Sequence, residues 1–95
     1  LMADKKVLEL LQTCERFISI LFKDKATAYL ETGRLVQAAP EKSEQELVFQ
    51  LLPLFLAKQF NQKESLTYLE KSYKAQQMWR SNVSFQNVLE YMVIS

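Results

Sequence analysis

Apolar residues recur at three- and four-residue intervals through most of this 95-residue chain, the spacing that lines up one side of an α-helix. Val7, Leu10, Leu11, Cys14, Phe17, Ile18 and Leu21 form the first such stripe and predict a helix from about Ala3 to Phe22. Asp4 stands near its start, where a carboxylate suits the positive end of the helix dipole. Lys23-Asp24-Lys25 interrupts the pattern, and a second helix is expected from about Lys25 to Ala38, carrying Ala28, Tyr29, Leu30, Leu35 and Val36. Gly33 inside it costs about 1 kcal/mol relative to alanine, so it points to close helix packing or a bend. Pro40 stops this helix by pushing Ala39 away from helical geometry.

Ser43-Glu44-Gln45-Glu46 has the spacing of a capping box, in which hydroxyl and carboxylate each accept from a free backbone N–H. From Leu47 to Phe60 apolar side chains cover most of the circumference, which marks a central helix. Pro53 lies inside it and is expected to remove one hydrogen bond and kink the axis. Asn61, with Glu64 three residues on, reads as the cap of a fourth helix. That helix carries two apolar stripes. Leu66, Leu69 and Tyr73 make one, while Tyr68, Ala75 and Trp79 lie on another face, so one side is expected to meet the core and the other a partner. Ser81-Asn82 ends it. The last segment, Val83 to Ser95, starts with Ser84 as N-cap and carries Phe85, Val88, Leu89 and Met92 on its inner stripe. Tyr91, Val93 and Ile94 fall partly off that stripe, and Glu90 is the only charge in the final fifteen residues. Either this helix threads the core or its outer side meets another protein. The pattern as a whole predicts an all-α chain, residues 1–95 forming a single compact domain of about five helices.

Composition narrows the function classes. One glycine and two prolines leave little material for the turns of a sandwich or barrel. Twelve Lys and Arg against eleven Asp and Glu give a net charge of +1, and the basic residues are scattered. Direct nucleic-acid binding is therefore not expected, because it calls for a basic stripe or cluster. Cys14 is the single cysteine, which rules out an intramolecular disulfide and suits a cytoplasmic setting. On an apolar helical face it reads as a small buried hydrophobe. With no histidine, imidazole acid–base chemistry and histidine metal sites both drop out.

One glycine cannot build a phosphate-cradling loop, and Glu41, Glu44 and Glu46 flank a helix start where acids belong for structural reasons. No catalytic, cofactor-binding or metal-binding residue is expected, and no small-molecule substrate. No apolar run approaches the ~20 residues of a membrane span, and the N-terminus lacks the pattern of a signal peptide. Leu1 ahead of Met2 suggests that the natural chain continues upstream. Asn82-Val83-Ser84 matches a glycosylation pattern, but Ser84 already serves as a helix cap.

The run Ala75-Gln-Gln-Met-Trp-Arg-Ser-Asn-Val-Ser-Phe-Gln-Asn-Val-Leu-Glu-Tyr-Met92 resembles the end of delta-prime subunits of the bacterial DNA polymerase III clamp loader. Members of that family finish with a helix, a short Asn-Val turn and an amphipathic helix containing a Leu-Glu pair. The order of helices upstream agrees, although only Trp79 to Met92 is specific. The resemblance implies a C-terminal collar domain of five helices, which packs with the collar domains of delta and tau/gamma subunits and hydrolyses nothing itself. Tyr68, Trp79, Tyr91 and Ile94 are the candidates for contact with such partners. Three other readings fit the same residues: the collar domain of another loader subunit, delta or tau/gamma; a helical adaptor protein unrelated to replication; and the helical cap of an enzyme whose catalytic residues lie elsewhere.

Overall fold

The computed structural model describes residues 5–59 and 64–94. Five helices follow in order: α1 Lys5–Leu21, α2 Lys25–Ala38, α3 Lys42–Ala57, α4 Ser65–Arg80 and α5 Phe85–Ile94. No strand occurs among the described residues. The principal contacts run α1 to α2, α2 to α5, α5 to α4, α4 to α3 and α3 back to α1. The helices thus close a ring around one core, and each buries its own stripe toward the middle.

Five of the seven residues of the first stripe, Leu10, Cys14, Phe17, Ile18 and Leu21, are buried, whereas Leu11 is half-buried and Val7, in the first turn of α1, is exposed. Asp24, extended and just ahead of α2, caps it: Oδ1 accepts from the Ala26 backbone N–H at 3.2 Å and Oδ2 from the Thr27 hydroxyl. Gly33 departs from expectation. A Cβ placed there meets nothing within 4 Å, so neither a close helix contact nor a break accounts for it, and α2 runs unbroken through it.

The start of α3 also departs from the expected capping box. Glu41 is the N-cap, in extended backbone at φ −104°, and Lys42 is already helical. The carboxylate of Glu44 accepts from the Glu41 backbone N–H at 3.0 Å. The box therefore sits two residues earlier than Ser43 and Glu46. Pro40 explains the shift, because it keeps Ala39 out of the helix and leaves Glu41 as the first residue able to start one. Pro53 lies inside α3 without ending it.

The predicted cap at Asn61 lies outside the described residues. Glu64 occupies the cap position of α4, with Ser65 the first helical residue. At the other end, Asn82 takes the left-handed conformation at φ 75°. Its N–H donates to the Trp79 carbonyl, and the Val83 N–H donates to the Met78 carbonyl, both at 3.0 Å. That pair of bonds is the Schellman motif, which satisfies the carbonyls a helix leaves open at its C-terminus. Ser84 caps α5 as the sequence predicts, its Oγ accepting from the Asn87 backbone N–H at 3.2 Å.

Candidate protein-binding surface

Which sides of α2 and α4 face inward decides what remains for a partner. On α4 the buried residues are Tyr68, Ser72, Ala75 and Trp79, spaced four, three and four apart. Tyr68 is 2% exposed and meets the edge of Phe22, with ring centroids 5.3 Å apart. Trp79 is 7% exposed, packs on Phe49 at 5.2 Å and donates its indole N–H to the Gln45 side chain. These two candidates for partner contact are therefore core residues. Their rings pack on Phe22, between α1 and α2, and on Phe49 of α3.

Of the two stripes on α4, that of Leu66, Leu69 and Tyr73 faces outward. Leu66 is 67% and Tyr73 53% exposed, with Leu69 partly buried between them. The physical reason lies in Ser72. It interrupts the buried stripe in the sequence, yet its hydroxyl donates to the Leu69 carbonyl at 2.7 Å and carries no unpaired polarity into the core.

α2 likewise turns polar residues inward. Its buried side is Ala28, Glu31, Thr32 and Leu35. Thr32 donates to the Tyr29 carbonyl at 2.7 Å. Glu31 is an ion-pair partner of Arg16 and Arg34, each at 3.4 Å. With that side turned in, Ala26, Tyr29 and Leu30 share the outer side at helical spacing, and Leu30 is 75% exposed.

Because α2 and α5 are neighbours, this outer stripe meets the end of α5. Lys25, Ala26, Tyr29 and Leu30 of α2 and Val93 and Ile94 of α5 line a shallow groove between the two helices. Ile94, the fourth sequence candidate, is 67% exposed and belongs here; Val93 is 1% exposed. Tyr91 is half-buried and packs against the core cluster. Of the four expected contact residues, the groove takes in Ile94 alone. Tyr29 and Leu30 join it unpredicted.

Lys25 is the one charged residue among those lining the groove. Asp24, next in sequence, has both carboxylate oxygens occupied at the start of α2. The Lys71 ammonium is held below its ordinary pKa, by burial first and then by the nearby Lys25 charge, with Glu64 acting in the opposite direction.

A separate, polar cleft between α1 and α2 is lined by Lys6, Glu9, Thr13, Arg34, Gln37 and Ala38. Among the described residues no group of three His, Cys, Asp or Glu side chains could hold a metal ion, and no helix is long and apolar enough to cross a membrane. Compared with protein-family models, with curated proteins and with solved structures, the chain gives no match.

Proposed function

We propose that this chain is a non-catalytic assembly domain of a bacterial clamp loader, the collar domain of a delta-prime-type subunit, working in the cytoplasm. The observation that carries the reading is the groove between α2 and α5. Leu30 at 75% and Ile94 at 67% exposure stand beside Tyr29 with little polar cover, and such a contiguous apolar surface is what a lasting protein contact uses.

The residues of the resemblance support a shared architecture. Trp79 anchors the end of α4 in the core, Asn82 supplies the left-handed turn, Ser84 caps α5, and Phe85, Val88, Leu89 and Met92 are buried. Each has a structural part in the α4–α5 hairpin, so the likeness speaks for the fold of the pair. The groove speaks for assembly.

Competition tests this reading. A loader is reconstituted from purified delta, tau and delta-prime subunits of the same organism, and the isolated domain is added in excess. Displacement of delta-prime from the complex is the expected result. An intact complex at high excess, with the added domain folded, would send the reading toward an adaptor unrelated to replication.

A further inference from the structure

We draw no further inference here: the strongest candidate, the exposed apolar face between α2 and α5 formed by Tyr29, Leu30 and Ile94, carries none because nothing in the structure shows what covers it.

Discussion

The indole N–H of Trp79 donates to the side-chain oxygen of Gln45 at 2.9 Å, joining α4 to α3 across 34 residues of sequence. The same Gln45 amide donates through Nε2 to the Ala39 carbonyl at 3.1 Å. One side chain thus satisfies a buried tryptophan and the connection between α2 and α3, while Phe49 packs against the indole and, edge-on, against Phe85 of α5.

Replacing Gln45 by leucine leaves both the indole N–H and the Ala39 carbonyl unpaired. The expected loss is about 1–3 kcal/mol of stability. Gln45→Glu, which keeps an acceptor for the indole, should lose less than Gln45→Leu. Urea unfolding followed by the fluorescence of Trp79, the one tryptophan in the chain, reads both. Equal midpoints for wild type and Gln45→Leu would mean that water replaces the amide.

Asn82 holds the left-handed turn at φ 75°, a region costly for residues branched at Cβ. Asn82→Gly should match or exceed wild-type stability, whereas Asn82→Val should lose about 1–2 kcal/mol. The order of the two urea midpoints is the test. A valine variant as stable as the glycine one would show that the turn can be made another way.

Gly33 faces open space within an unbroken helix. Alanine there should raise stability by about 0.5–1 kcal/mol, since it restricts the unfolded chain and meets no neighbour. Thermal unfolding measures it, and a lower midpoint would contradict the geometry.

The fold was far more legible in the sequence than the surface was. α1 reads correctly because its stripe is apolar at every inward position, and α5 because Ser84 and the inner residues Phe85, Val88, Leu89 and Met92 agree with each other. α2 and α4 leave their inner side open for one shared reason. Each places polar residues on its buried side: Thr32 and Ser72 donate to nearby backbone carbonyls, and Glu31 lies 3.4 Å from both Arg16 and Arg34, although its Oε1 accepts no hydrogen bond. Each also carries apolar residues outside, Tyr29 and Leu30 or Leu66 and Tyr73. With apolar spacing satisfied on both sides, periodicity alone cannot choose. Local hydrogen bonds and ion pairs decide, and these belong to three-dimensional structure. That is why Tyr68 and Trp79 looked like contact residues and lie in the core.

Alkaline pH should weaken the fold through two buried groups. Burial pushes the Cys14 thiol from its ordinary 9.0 up to about 12. The folded chain then keeps a proton that the unfolded chain releases, so this contribution is full below pH 9 and is lost as pH rises toward about 12. The Tyr68 phenol moves the same way, by burial first and then by the Glu64 carboxylate, and adds to the loss above its ordinary 10.0. Urea midpoints should therefore fall as pH climbs past 9.0, with a shallower fall in Cys14→Ala. The native thiol should also resist a disulfide reagent until the chain unfolds. Rapid labelling under native conditions would contradict its burial.

The assembly claim is tested most directly by solution mass. The wild-type domain is mixed at micromolar concentration with folded collar domains of tau and delta from the same organism, and the mixture is measured by light scattering behind size exclusion. A heteromeric species heavier than any component is the predicted result. Separate elution of every component, each at the mass it shows alone, would contradict it.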